Sequence, residues 1–411
     1  RRIARGLLGL VGLVGLATGG LGIGACGFEG NVAGDEPGVT TTTSAIVNAT
    51  NTTDNERYWG DYNGDGTDDL IIVTAGGSYE YLGVTGGGFT PNVWVRNDLT
   101  LGHVAFIPGR FHGPGPTDVL IVTAGGTYEY EGKSGGGFTP NVWVRNDLTL
   151  GNVQYTVGDW DADLISDLII TTAGGSYQYM GRSTGVFTPN TWVRTTLPLG
   201  TVKYTVRHVG VEDDVIITTD GTRAPGGSFL YLGNIGATGF TLGSWSRSDL
   251  TLGKVALVAG NWSGPGADLL ITTASGTSLD MNIGGRYYTP GVYVRSDWTL
   301  GQVKFTRGNF DHAGGGDDLI ITVASGSYEY TTNSGNGTAF DGFNVDQWVR
   351  HDLPLGKVDY FTGHFSGVST PDSLIIMTAG GSYEYLGANG GGFIGNAWVR
   401  TNLPLGNVQY F

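Results

Sequence analysis

The sequence predicts an all-β fold: a seven-bladed β-propeller of four-stranded antiparallel blades, its ring closed by a C-terminal strand. Three observations carry that expectation. An aromatic-x-Arg signature recurs at Trp94/Arg96, Trp143/Arg145, Trp192/Arg194, Trp245/Arg247, Tyr293/Arg295, Trp348/Arg350 and Trp398/Arg400, in steps of 49, 49, 53, 48, 55 and 50 residues. Each unit holds four short β-branched or aromatic runs bounded by Gly, Asp, Asn or Pro, the marks of strands. No helical 3.6 period survives in the repeats. Four strands in about 50 residues make a blade, and blades bury their faces only by stacking round a ring.

The first unit opens with an acidic loop at 61–69, runs into the apolar stretch 70–73, turns at Gly76-Gly77 and returns through 79–82. In the third unit the four runs are 153–157, 168–172, 176–180 and 191–195. After each aromatic-x-Arg comes a turn of the N-D-L-T-L-G type, as at 97–102 and 351–356. An x-V strand then begins, as at His103-Val104, Asn152-Val153 and Lys357-Val358. The first unit has only a weak x-V equivalent at 55–59, whereas the seventh x-V strand, 407–411, stands alone at the end. Laying 407–411 into the first blade closes the ring without a free edge. The alternative is a chain that runs on into an eighth unit.

Composition narrows the function classes. Gly is the commonest residue, at 74 of 411, with no G-X-Y period, which excludes collagen. A formal net charge of -15 disfavours nucleic acid, whose phosphates need a basic footprint. One cysteine excludes an intrachain disulfide. The six histidines (103, 112, 208, 312, 351 and 364) are scattered, and there is no H-E-x-x-H or P-loop. The chain is therefore expected not to be an enzyme.

The N-terminal residues 1–26 read as a secretory signal. Arg1, Arg2 and Arg5 precede the apolar run 7–17, and small residues follow. Ile23-Gly24-Ala25-Cys26 resembles a bacterial lipobox, which implies lipidation at Cys26; the alternative is an ordinary signal with an incidental cysteine. Residues 27–54, rich in Thr, Asn and Gly, read as a flexible tether, and 55–411 as the propeller. The expectation is a bacterial protein, secreted across the inner membrane and held by its lipid at the cell surface or periplasmic face. The membrane is met only through that anchor, and a monomer is expected.

The loop of the first unit, Asp61-Tyr62-Asn63-Gly64-Asp65-Gly66-Thr67-Asp68-Asp69, places oxygen donors at alternate positions around a Gly turn, the pattern of a calcium site. Asp61, Asn63, Asp65 and Asp69 would bind by side chain and Thr67 by its carbonyl. An EF-hand is excluded, because Ile72 stands where its final Glu belongs. Hard oxygen donors without His or Cys suit Ca2+ over zinc. The alternative is an Asp/Asn/Gly turn without metal, though crowded carboxylates would then repel. The third unit keeps the carboxylates as Asp159, Asp161, Asp163 and Asp167, with Leu164 where Gly is expected. The sixth offers Asn309, Asp311 and Asp317 and lacks a third ligand. The loops opened by Arg110, His208, Asn261 and His364 read as plain turns.

GDYNGDGTDDLII resembles the signature of FG-GAP and VCBS-type repeats, as in the integrin alpha-subunit propeller and bacterial surface proteins. The resemblance covers about residues 58–411 and is strongest in the first copy. It implies a propeller with calcium loops between the first two strands of some blades, serving adhesion or ligand binding. A similarity to kelch repeats is superficial, since the acidic loop is foreign to them.

Tyr79, Glu80, Tyr81, Tyr128, Glu129, Tyr328, Glu329, Tyr383 and Glu384 are the candidate ligand contacts. By strand period both Tyr of a Tyr-Glu-Tyr run share a face and Glu takes the other. The functional reading is a sugar platform of aromatic faces and polar groups; the plain reading is packing between blades. The recurring Trp and Arg read as packing, because Arg persists in all seven copies where the Glu does not. The whole reads as a calcium-binding surface module for a carbohydrate ligand, with a surface protein ligand or a polysaccharide lyase or hydrolase as rivals.

Overall fold

A computed structural model of the chain describes residues 60–411 except 210, 211, 235–238, 264–266, 284–286, 313–315, 333–342 and 368. The signal, Cys26 and the tether lie outside the described residues. The described chain is all strand and turn. The first blade contains β1 (Leu70–Thr74), β2 (Gly77–Gly83) and β3 (Phe89–Arg96). The second contains β4 (Val104–Gly109), β5 (Asp118–Thr123), β6 (Gly126–Gly132) and β7 (Phe138–Arg145). The third contains β8 (Val153–Gly158), β9 (Asp167–Thr172), β10 (Gly175–Met180) and β11 (Thr188–Arg194). The fourth contains β12 (Val202–Val209), β13 (Glu212–Thr219), β14 (Gly227–Leu232) and β15 (Thr241–Arg247). The fifth contains β16 (Ala256–Gly260), β17 (Asp268–Thr273), β18 (Gly276–Ile283) and β19 (Tyr287–Arg295). The sixth contains β20 (Lys304–Gly308), β21 (Asp318–Val323), β22 (Gly326–Thr332) and β23 (Phe343–Arg350). The seventh contains β24 (Val358–Gly363), β25 (Ser373–Thr378), β26 (Gly381–Gly387) and β27 (Phe393–Arg400).

The last strand, β28 (Val408–Tyr410), completes the first blade in the order β28-β1-β2-β3. It pairs Ile72 with Tyr410 and Thr74 with Val408. Ile71 and Phe411 exchange backbone bonds of 2.9 and 3.0 Å. The ring is therefore seven antiparallel four-stranded sheets closed by the C-terminal strand, as the repeat count predicts.

Each apolar strand has both faces covered, because the core lies between blades. Leu70, Ile72, Phe365, Ile375, Val408 and Tyr410 form one such cluster, across the seam of seventh and first blades. Leu120 and Val122 of the second blade pack with Val153, Tyr155 and Leu168 of the third. The N-D-L-T-L-G turn is a threading device. Its first leucine is buried and its carbonyl accepts a hydroxyl from the next-to-outer strand, as in Ser78 Oγ to Leu99 O at 2.6 Å. Its second leucine donates to the turn before that strand, as in Leu101 N to Thr74 O at 2.9 Å.

The outermost strand starts earlier than sequence suggests: β11 begins at Thr188, not 191. Pro189 sits inside it, opposite Tyr179, beyond a register shift in the β10–β11 pair. Proline is tolerated there because the open side of an edge strand has no ladder bond to lose. The same shift recurs in every outer pair. At the start of β6, before the shift, Gly126 has φ 136°, and a Cβ there would lie 2.7 Å from Arg145 O.

Candidate functional site

In an antiparallel blade successive connections alternate between the two ends. One face of the ring therefore carries the acidic loops and the Gly-rich loops; the other carries the short turns and the aromatic-x-Arg ends. The acidic loops are built round one aspartate at the mouth of the second strand. Asp69 Oδ2 accepts from Asn63 N at 3.0 Å, and Oδ1 from Gly83 N at 2.8 Å, across the blade. Asp118, Asp167, Asp268 and Asp318 repeat this link to Gly132, Gly181, Asn282 and Thr332. Asp214 repeats it to Gly233, and the seventh blade has Ser373 at the position. This aspartate thus has a structural post in loops with and without a metal-like pattern.

The residue before it staples neighbouring blades. Asp68 Oδ2 accepts from His364 N at 2.7 Å, Asp213 Oδ2 from Asp159 N at 2.8 Å, and Asp372 Oδ2 from Asn309 N at 2.7 Å. Asp317 belongs to this set: its Oδ2 accepts from Asn261 N at 2.7 Å and lies 3.4 Å from Arg307 Nη1. The expectation that Asp317 joins Asn309 and Asp311 as a ligand is corrected; the residue facing Asp311 is Asp318, whose Oδ2 accepts from Asp311 N at 3.1 Å.

The first loop holds its five expected residues in one turn. Asp61 accepts from the amides of Gly64, Asp65 and Gly66 at 2.7, 3.0 and 2.8 Å. Asn63 Oδ1 accepts from Asp65 N, and Asp65 Oδ1 from Thr67 N, both at 2.8 Å. Asp61, Asn63, Thr67 and Asp69 are buried and Asp65 is exposed. The third loop has the same wiring: Asp159 accepts from Asp163 N and Leu164 N, and Asp163 from Ile165 N. Where the first loop has Gly64 and Gly66 at φ 75° and 88°, the third has Ala162 and Leu164 at 62° and 66°, a strained conformation for side chains with a Cβ. Among the described residues, Asp159, Asp161 and Asp167 form the trio of acidic side chains whose ligand oxygens all lie within 4.8 Å of one another.

Electrostatics follow from burial. Burial, with Asp61 and Asp65 alongside and against the amides it accepts, pushes Asp69 up to about 9. Burial and the neighbouring acids push Asp159 up to about 7 and Asp167 well above the carboxylate range, while Arg182 opposes the crowding at Asp161. Other blades answer the same aspartate from within. His112 Nδ1 lies 2.9 Å from Asp118 and 3.7 Å from Glu129. Buried Arg207 donates to Asp214 at 2.7 Å and to Tyr288 Oη at 2.9 Å. Ser263 Oγ donates to Asp268 at 2.9 Å.

Sequence reasoning missed the aromatic inside six of the seven loops. Tyr62 packs edge-on against Phe138 of the next blade with centroids 5.3 Å apart, and Trp160 against Phe240 at 5.2 Å. Phe111–Phe187, Phe310–Phe393 and Phe365–Phe89 repeat this at 5.1 Å. The outer-strand Trp joins the same Phe, as in Trp94–Phe138 at 5.1 Å. In the fourth blade Arg207 takes the place of the loop aromatic, 5.2 Å from the Tyr288 ring. The available signal was the recurring aromatic two residues after Gly60, Gly109, Gly158, Gly260, Gly308 and Gly363.

The candidate ligand contacts divide. Glu80, Glu129, Glu329 and Glu384 are at most 1% exposed, so the structure takes them off the ligand surface: Glu129 faces His112 within its own blade, and the other three sit at the joints between blades. Gly137 N donates to both oxygens of Glu80 at 3.0 and 2.8 Å, and Asn92 Nδ2 donates at 2.6 Å. Gly88 and Gly392 donate likewise to Glu384 and Glu329. Tyr79, Tyr81, Tyr128, Tyr328 and Tyr383 are half-buried; Tyr79, Tyr128 and Tyr383 donate to Gly76, Gly125 and Gly380 carbonyls at 3.2, 3.1 and 3.0 Å.

No family model matches the chain, and no curated protein matches it. Among solved structures it is similar to an Agrocybe aegerita lectin described as specifically recognising non-reducing terminal N-acetylglucosamine. That likeness has a TM-score of 0.62 and 14% identity, over 84% of this chain and 95% of that one. Weaker likenesses are to BBS1N in complex with ARL6DN, with a TM-score of 0.44 and 13% identity over 77% of this chain and 87% of that one, and to the Photorhabdus luminescens Tc holotoxin pore, with 0.40 and 15% over 76% and 16%. At these identities the likeness establishes the propeller fold and nothing finer.

Proposed function

We propose that the chain is an exported, lipid-anchored propeller that binds glycans without turning them over, and that loops of its first and third blades take Ca2+. The observation that carries the glycan reading is the likeness to the Agrocybe lectin over 95% of that chain. The half-buried tyrosines add ring faces of the kind that stack on sugar C–H surfaces. The second reading is a protein ligand, favoured by apolar residues on the outermost strands, such as Val93 at 90% exposed.

The donor set fits calcium. Asp118 and Asp214 face a histidine and an arginine of the chain itself, whereas Asp69 and Asp167 face further carboxylates. Oxygen-only donors in a tight turn suit a hard cation. Bound there, Ca2+ supplies the positive charge that His112 and Arg207 supply elsewhere. The residues to hold it are Asp61, Asn63, Asp65, Thr67 and Asp69, then Asp159, Asp161, Asp163 and Asp167. The sixth loop, with Asn309, Asp311 and Asp318, is a weaker third.

A glycan array run with and without EDTA tests the reading. Calcium-dependent capture of glycans is the expected result. Capture of a surface protein with no glycan signal overturns it in favour of adhesion, and release of unsaturated sugar ends overturns the absence of catalysis. Anchoring is tested by metabolic fatty-acid labelling, which Cys26→Ser should abolish.

A further inference from the structure

Each outermost strand ends in an arginine on the face opposite the acidic loops. Five of the seven grip a carboxylate in one way. Arg96, Arg145, Arg247, Arg295 and Arg350 fork onto the aspartate two residues on. In the first blade Nε and Nη2 donate to Asp98 at 2.8 and 2.7 Å. Arg96, Arg145 and Arg350 also donate from Nη1 to the next blade's Tyr130, Tyr179 and Tyr385, each at 3.1 Å. The rings beside them hold the guanidinium planes. This is a bidentate carboxylate receptor, built and filled five times.

Arg400 keeps the frame of the next blade's tyrosine without the carboxylate, and Arg194 keeps the guanidinium, turned over its own strand's Trp192. Thr196 and Asn402 stand where the other blades have aspartate. Arg400 lies 5.4 Å from the Tyr81 ring and 5.6 Å from the Trp398 ring, and its Nε is buried with no hydrogen-bond partner. Arg194 lies 5.1 Å over Trp192 and donates from Nη1 to Val193 O at 3.3 Å. A polar group buried without a partner is costly, so simple loss of a surface ion pair does not account for the Arg400 Nε.

We propose that Arg194 and Arg400 are two receptors for the carboxylate or sulfate of an acidic glycan, seated in the fork that Asp98 fills at Arg96. This rests on the glycan-binding reading and narrows it to charged sugars. It also places recognition on the face opposite the acidic loops.

The full chain is titrated with a galacturonate oligosaccharide, a sulfated dextran, uncharged dextran and polyglutamate. Binding of a charged sugar that weakens with salt is expected, and which of the two binds assigns uronate or sulfate. Thr196→Asp with Asn402→Asp restores the aspartate of the other five blades, so the fold is kept. That pair should weaken the charged sugar by about tenfold or more, and Arg96→Gln should leave it unchanged. Equal binding by the Asp pair overturns the proposal. Equal capture of polyglutamate overturns the sugar assignment. Preference for a neutral glycan overturns the proposal while glycan binding stands, and no binding to any sugar overturns both.

Discussion

Leu164 shows how one residue can occupy a turn that does not suit its side chain. It stands at the position of Gly66, with φ 66°, because the wiring of Asp159 to the amides around it requires that turn. Leu164→Gly should therefore stabilise the apo protein by about 1 kcal/mol, read as a higher urea midpoint with unchanged slope. Asp61→Ala with Asp65→Ala should remove the first blade's share of any calcium-dependent rise in Tm while Asp159 and its neighbours retain theirs. A calcium titration of Tm identical to wild type rejects the first site. Phe111, fully buried between blades, should cost about 3–5 kcal/mol as Phe111→Ala, measured by chemical unfolding.

At the scale of the loop and strand, the second blade answers its buried acids with a histidine. Burial lowers the His112 pKa, but its bond to Asp118 and the charges of Asp118, Glu129 and Glu131 together raise it. Burial, with Asp118 and Glu131 and against His112, pushes Glu129 up to about 8. A group whose pKa is raised on folding stabilises below its unfolded value and loses that contribution as pH climbs through the folded one. Stability from this cluster should thus fall as pH rises from mildly acidic to mildly basic. His112→Gln should remove the histidine's share of the fall and carry the Glu129 share to higher pH, seen in chemical unfolding across that range; an unchanged pH profile counts against it. The strands themselves were legible, because apolar runs between Gly and Asp punctuate every copy. The buried Glu80 was not. Its partner Gly137 lies in the next blade, and alternation along one strand says which way a side chain points, not what is waiting there. Asp317 and Asp318 were exchanged for the same reason: adjacent acids alternate in direction, and only the position of Asn261 in the next blade decides which one staples.

For the whole molecule, the recurrence of aromatic-x-Arg and the unpaired x-V strand at the end were enough to read seven blades and their closure. The first acidic loop touches both its neighbours, through Asp68 to His364 and Tyr62 to Phe138, a position no local pattern reveals. Deleting 407–411 should lower Tm for the entire ring in one cooperative transition; a truncated protein that melts like the full chain refutes the role of β28. The pairing of β1 with β28 has a further consequence in time. During synthesis the first blade emerges well before β28, and its innermost place stays empty until β28 appears. The exposed edge of β1 is then a hazard for mispairing, and joining strands so distant along the chain is slow. Ring closure is therefore expected as a late event, after β28 has emerged, with the nascent chain vulnerable up to that moment.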